Sequence, residues 1–247
     1  MVLKILLIIA SGLFALCLPC LLLTASIWWA ANSHWLYTSG FTRYDVAAST
    51  GLTEAELDMV AAELIDYFNS GEEFVDITVI KDGQTFELFT EEEILHFRDV
   101  KGLFRLDFYV LLGTGIYAVG YAALSLIWRR PQYRRGLAKG TLAASIIALL
   151  LMLALGLGTL FNFDWLFLRF HLLSFSNEFW SAKGYMVLLF PRDFWYDAAI
   201  YCAIATAVGA AILGLVAAGY LFFTRKATSR QVDFSASMDN GEEIDDG

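Results

Sequence analysis

The sequence predicts an α-helical membrane protein: four transmembrane helices, a small extracytoplasmic α+β cap (helix, β-hairpin, helix) and an interfacial aromatic segment. Three observations predict it. First, 58% of the 247 residues are hydrophobic and 17% charged, where soluble domains carry about 45–50% and about 25%. Second, the apolar excess is gathered into stretches free of Asp, Glu, Lys and Arg: Ile5 to about Ala31, Phe108–Trp128, Gly140–Phe163 and Ala198–Thr224. Each exceeds the ~20 residues that cross a hydrocarbon core, and backbone amides in lipid find their partners within a helix. Third, the intervening charges differ in sign: residues 31–106 hold fifteen acidic and five basic side chains, whereas 129–139 hold five basic and none acidic. Short basic loops stay in the cytoplasm. With Arg225, Lys226 and Arg230 after the last span, this orients both termini inwards and segments 32–106 and 161–196 outwards.

Residues 1–31 form the first span. Lys4 resembles the start of a secretory signal, but the apolar run is longer than the ~7–15 residues of a signal core. Bulky Ile27, Trp28 and Trp29 also stand where a cleavage site needs small residues, so a retained helix is expected. The cap follows at 32–106. Thr53 and Glu56 have capping-box spacing, and Leu57, Val60, Ala61, Leu64, Ile65 and Phe68 continue at helical period until Asn69-Ser70-Gly71. Phe74–Ile80 and Thr85–Phe89 read as strands joined through Asp82-Gly83, a hairpin signal. Thr90 and Glu93 form a second capping box, opening a helix that runs past His96 into the second span, 107–128. Next come the basic loop 129–139 and the third span, 140–160. Segment 161–196 places thirteen aromatic residues among 36, which suits short amphipathic or re-entrant helices along the outer interface. The fourth span is 197–224, and the acidic tail 225–247 is expected to be disordered.

Several function classes fall away. Transport needs ionisable residues within the spans, whereas Lys4, Asp107, Lys139, Asp164 and Asp197 only flank them. A net charge of −9 argues against nucleic-acid binding. No cofactor-binding motif is present. Cys17 and Cys20 have CxxC spacing but sit in an apolar helix, where buried packing accounts for them, and Cys202 also falls inside a span, so none is available for an exterior disulfide. His34, His96 and His171 lack HxxxH or HExxH spacing, so no metal site is expected.

The three histidines nevertheless all fall at outer membrane boundaries, and histidine is the side chain best suited to moving protons near neutral pH. On a helix, Glu92 and Asp99 share the face of His96, and either is a candidate to orient its ring. Asp164, Phe167, Ser174 and Glu178 fall along the face of His171, an acid–histidine–acid line that is costly to bury. The competing reading is a solvated charged face for the first helix and an interfacial belt helix for the second. His34 has no patterned neighbours.

Residues Leu95 to Lys101 resemble the His-x-x-Asp-Val-Lys motif of a family of bacterial four-helix integral membrane proteins. Phe170-His171 followed by Asn177 and Trp180 resembles that family's second motif. After Trp180 the chain departs from the pattern, lacking an Asp-Pro turn, although Phe190-Pro191, Phe194 and Asp197 match again. The family's characterised members are lipoprotein intramolecular transacylases, which move the sn-2 acyl chain of a diacylglyceryl-cysteine lipoprotein onto the cysteine α-amine. The resemblance implies catalysis by His96 and His171, one as base and one as acid or oxyanion donor, with no cofactor. It also implies membrane lipids and a lipoprotein substrate as partners. Arg98, Lys101 and Arg169 become candidates to contact lipid or substrate backbone, and Phe167, Phe170, Phe175 and Trp180 to line an aromatic pocket. A family member with a non-enzymatic interaction role through its cap is the alternative.

Overall fold

A computed structural model describes residues 2–242 apart from Asp82, Arg129 and Ala182, with side chains described over 5–225. Its elements are α1 (Val2–Ala31), α2 (His34–Arg43), α3 (Val46–Thr50), α4 (Glu54–Asn69), β1 (Thr78–Lys81) and β2 (Gln84–Glu87). They continue with α5 (Glu91–Ile127), α6 (Pro131–Ser174), a 3₁₀ turn (Phe179–Ser181), α7 (Tyr185–Leu189) and α8 (Arg192–Glu242). Four of them, α1, α5, α6 and α8, are long and apolar enough to cross a membrane. Large apolar side chains such as Ile8, Ile116, Leu150 and Leu215 remain uncovered along them, as lipid-facing surfaces require. Within the expected disordered tail the backbone of α8 continues to Glu242, and 243–247 lie outside the described residues.

The described chain divides into two compact units. One comprises Cys20–Gly113 and Leu151–Thr206, the other the remaining described residues. In the latter, small side chains let helices approach: Ala144, Ala148, Ala210 and Ala217 are buried, and a Cβ on Gly214 would come 3.0 Å from Ser145. Phe14 stacks on Tyr121, and the Tyr117 hydroxyl donates to the Ala10 carbonyl at 2.9 Å.

The first unit contains the cap. Both capping boxes form. Glu56 accepts from Thr53 N at 2.7 Å, and Glu93 accepts from Thr90 N at 3.0 Å, each with the reciprocal bond to the threonine hydroxyl. Leu57, Val60, Ala61 and Leu64 turn the apolar face of α4 into a core shared with Leu36, Tyr37, Phe41, Val46, Val75, Val79 and Phe97. The strands are shorter than the apolar runs suggested. Thr78 pairs with Glu87 and Lys81 with Gln84, and Gly83 supplies the positive φ of 75° that the tight turn needs. The cap also has two helices beyond the predicted set, α2 and α3, between the first span and Thr53.

The aromatic segment is arranged differently from the expectation. The third helix continues to Ser174 and is broken only at Asn162, whose extended backbone (φ −159°, ψ 75°) lets its side-chain oxygen accept from Trp165 N at 3.0 Å. Asn162 thereby caps a second helical stretch, 163–174. The later part of the segment packs into the cap. Leu189, Phe190 and Phe194 are buried in the cap core, with Phe190 edge-on to Tyr37 at 5.7 Å. Phe194 lies so close to Gly40 that a Cβ there would meet it at 2.5 Å. The cap's apolar face needs cover, and these rings provide it.

Candidate active site

His96 lies two turns into α5 and His171 near the end of α6. The 37 residues of α5 extend about 55 Å at 1.5 Å each, well beyond the ~30 Å of a hydrocarbon core. Its uncharged stretch after Asp107 is long enough by itself to span, and His96 precedes that stretch. His171 follows the Asn162 break. The two rings are close, with centroids 6.2 Å apart and planes inclined by 24°, near enough for one reacting centre to reach both. Both are buried, at 6% and 7% exposure.

Their surroundings are aromatic. Phe175 meets the His96 ring edge-on at 4.8 Å, and Phe167, Phe170, Phe175 and Trp180 surround His171 at 4.2, 5.4, 5.5 and 5.0 Å. Burial foremost, and proximity to His171 after it, push the His96 pKa down from 6.5 to about 4 against the opposing effect of Asp99. Burial also lowers His171, partly offset by its bond to a backbone carbonyl. Both imidazoles are therefore neutral near pH 7. The tautomer of His171 follows from geometry. Its Nδ1 lies 2.7 Å from the Phe167 carbonyl oxygen, which can only accept, so Nδ1 carries the proton and Nε2 keeps a lone pair. Among the described residues, His96 Nδ1 is buried without a hydrogen-bond partner.

Residues 12–195 match the family model for lipoprotein intramolecular transacylase Lit. The chain belongs to that family. The structure resembles that of the integral membrane transacylase Lit from Bacillus cereus, with a TM-score of 0.73 at 18% identity over 92% of this chain and 99% of the other. A variant of that enzyme with a histidine replaced by arginine matches with a TM-score of 0.71, at 18% identity over 91% of this chain and 96% of the other. An uncharacterised protein of Aquifex aeolicus is 28% identical over 118 residues, 47% of this chain and half the length of that relative. Four apolar helices and an integral membrane fold make this Lit family member a multi-pass membrane protein.

The other sequence candidates divide into those near the histidines and those used elsewhere. The Asp99 carboxylate is engaged by other groups: Asn177 donates to its Oδ2 at 2.8 Å, and Arg98 approaches its Oδ1 at 3.6 Å. Glu92 and Glu178 are exposed, and among the described residues neither side chain bonds to a histidine; Ser174 is half-buried. Asp164 pairs with Arg192 rather than serving His171, because the chain returns at α8 and supplies a guanidinium that neutral imidazole cannot match.

Lys101 is drawn into the protein. The residue is 2% exposed, and its ammonium donates to Ser70 Oγ at 3.0 Å and the Glu72 carbonyl at 2.7 Å and sits 3.9 Å from the Tyr67 ring centroid. It anchors a cap loop instead of meeting lipid. Arg98 reaches Glu73 at 3.9 Å and lies over Phe74. Arg169 is exposed, over Trp165 at 5.5 Å. His34 pairs with Asp58 at 3.3 Å.

A cleft of about 470 Å³ lies away from the imidazoles, beside Tyr44, Asn162 and Tyr196. Its arginines are already neutralised, Arg43 by Asp197 and Arg192 by Asp164 and Asp193. Sequence reading missed Glu93 as more than a cap residue. Fully buried, it also accepts from Met186 N at 2.7 Å.

Proposed function

We propose that this protein transfers the sn-2 acyl chain of a diacylglyceryl-cysteine lipoprotein to the α-amine of that cysteine, giving a lyso-form lipoprotein. The observation that carries this reading is the pair of buried, neutral imidazoles 6.2 Å apart in an aromatic enclosure, in a member of the lipoprotein intramolecular transacylase family. The bare Nε2 of His171 takes a proton from the amine as its nitrogen attacks the ester carbonyl. His96 hydrogen-bonds the carbonyl oxygen as negative charge develops on it. The C–O bond to the glyceryl oxygen breaks, an amide C–N bond forms, and the His171 imidazolium returns the proton to the leaving alkoxide. Protons balance and no cofactor takes part. Ester and amine belong to one molecule, so holding its folded conformer supplies much of the rate.

The same reading faces the cap and both histidines to the exterior, with both termini cytoplasmic, as the basic 129–139 loop favours. Alkaline phosphatase fusions after Gln84 and after Pro131 test it: activity is expected from the first and not the second.

The deciding measurement is mass spectrometry of a reporter lipoprotein's N-terminus in a host without other N-acylating enzymes. Lyso-form product is expected with the wild-type protein. His96→Ala and His171→Ala are each expected to lower it by roughly 10²–10⁴-fold, the usual contribution of a positioned acid or base. An unmodified diacyl reporter alongside well-expressed wild-type protein overturns the reading in favour of a cap-mediated interaction role.

A further inference from the structure

The acyl ester in this enclosure has two possible attackers: the neighbouring amine, and water. Water yields a free fatty acid and a de-acylated lipoprotein, so the proposed transfer depends on how well the enclosure is sealed. The wall nearest both rings is the segment bounded by Phe175 and Met186. Phe175 lies on His96 and Trp180 on His171. Among the described residues, which exclude Ala182, this segment has a 3₁₀ turn at Phe179–Ser181, and its short-range bonds run within it or back to α6: Phe175 N donates to the His171 carbonyl at 2.9 Å, Phe179 N to Asn177 Oδ1 at 3.1 Å and Ser181 Oγ to the Glu178 carbonyl at 2.8 Å. These bonds shape the segment without attaching it to α5.

Two acidic side chains of α5 make that attachment. They stand three residues before and three after His96. Glu93 accepts from the Met186 amide at 2.7 Å, and Asp99 accepts from the Asn177 side chain at 2.8 Å. The Glu93 tie is built for permanence. Its carboxylate is fully buried, also accepts from Thr90 N and Thr90 Oγ1, and so joins the first turns of α5 and α7, where free amides favour a negative charge. Gly184 makes room for it, since a Cβ there would lie 2.4 Å from the carboxylate oxygens. The Asp99 tie is lighter, with 23% of its side chain exposed.

We propose that Glu93 and Asp99 are positioning residues that pin the Phe175–Met186 wall across the two histidines and thereby direct the acyl group to the amine instead of water. This rests on the transacylase reading. Neither carboxylate touches the reacting atoms; each acts through Phe175 and Trp180. Hydrolysis in a loosened site balances as acyl transfer does. The water oxygen bonds to the carbonyl carbon, the glyceryl C–O bond breaks, and one water proton passes through His171 to the leaving oxygen.

The test is the ratio of released fatty acid to N-acylated reporter per turnover, measured with purified protein in lipid nanodiscs and a diacylglyceryl lipopeptide in ¹⁸O-water. Asn177→Ala and Glu93→Ala are expected to raise that ratio by about tenfold, the rate equivalent of one lost hydrogen bond, with ¹⁸O in the released acid. Glu93→Gln and Asp99→Asn keep an acceptor oxygen for Met186 and Asn177, and are expected to stay within about twofold of wild type. A merely structural role lowers both products together by reducing the folded fraction and leaves the ratio unchanged. Because the ratio is independent of folded fraction, partial misfolding of Glu93→Ala does not obscure it, and Asn177→Ala tests the lighter tie together with the Phe179 amide bond that the same side chain accepts. An unchanged ratio in both alanine variants overturns this proposal while leaving the transacylase reading standing. Absence of N-acylated product from wild-type protein overturns that reading instead.

Discussion

The two histidines are held by opposite means. The α5 stretch around His96 is tied by polar bonds: Glu93 to α7, Asp99 to Asn177, Lys101 to the 70–72 loop, and Arg105 to the Ser70 carbonyl at 3.2 Å. The α6 stretch around His171 is held by rings: Phe163 on Phe167, Phe167 on His171 and Trp180 on His171. Its polar bonds include the Asn162 cap at its start, the Arg192–Asp164 pair and the bond from His171 Nδ1 to the Phe167 carbonyl. The difference follows from surroundings. The α5 stretch lies within a cap that has loops with free carbonyls to satisfy, whereas the α6 stretch presents exposed Trp165, Phe170 and Leu173, a surface suited to lipid. Directional bonds fix a ring where acceptors are plentiful, and stacking fixes it where they are scarce.

If that contrast is right, acid should act first on the buried His96. Its pKa is near 4 in the folded protein and 6.5 when free of the fold, so between these values the unfolded chain binds more protons. The stability contributed by burying it neutral is complete above about pH 6.5 and is lost as pH falls towards 4. Melting temperature in detergent is expected to drop across that window, with a shallower drop in His96→Phe. Equal slopes would break the contrast. Next in size, Lys101→Met strands Ser70 Oγ and the Glu72 carbonyl and is expected to cost about 1–3 kcal/mol in denaturation. Asn162→Ala removes only a helix cap and is expected to cost about 1 kcal/mol, sharpening the comparison by showing that rings carry more of the α6 stretch. Arg169→Ala, on an exposed side chain, is expected to stay within about 0.5 kcal/mol of wild type; a larger loss would mean the α6 stretch relies on polar ties after all.

Local signals were legible and distant ones were not. Thr53–Glu56 and Thr90–Glu93 read correctly as capping boxes because both partners lie within one turn. The second role of Glu93 was invisible, since it needs Met186 and the bare Gly184, both about ninety residues away. Asp164 looked like a partner for His171 on a helical face, but Arg192, brought in by the return of the chain, claims it. Lys101 looked free for lipid because its spacing carries no sign of the 70–72 loop that surrounds it. Phe190 and Phe194 read as interfacial rings because aromatic composition alone does not distinguish a membrane surface from the underside of a cap core.

By itself the sequence determined that the chain has four helices able to cross a membrane and that a small cap containing a helix, a hairpin and a helix stands between the first two. Length and hydropathy are properties of contiguous residues, and a helix in lipid satisfies its own backbone without help from the rest of the chain. Only the tertiary structure decided that His96 and His171, 75 positions apart, share one enclosure, that the rings after Ser174 wall it in, and that Glu93 and Asp99 tie the wall to α5. Those arrangements depend on which faces bury one another, and packing of that kind is settled by shape and by available hydrogen-bond partners across the whole unit, which no local pattern records.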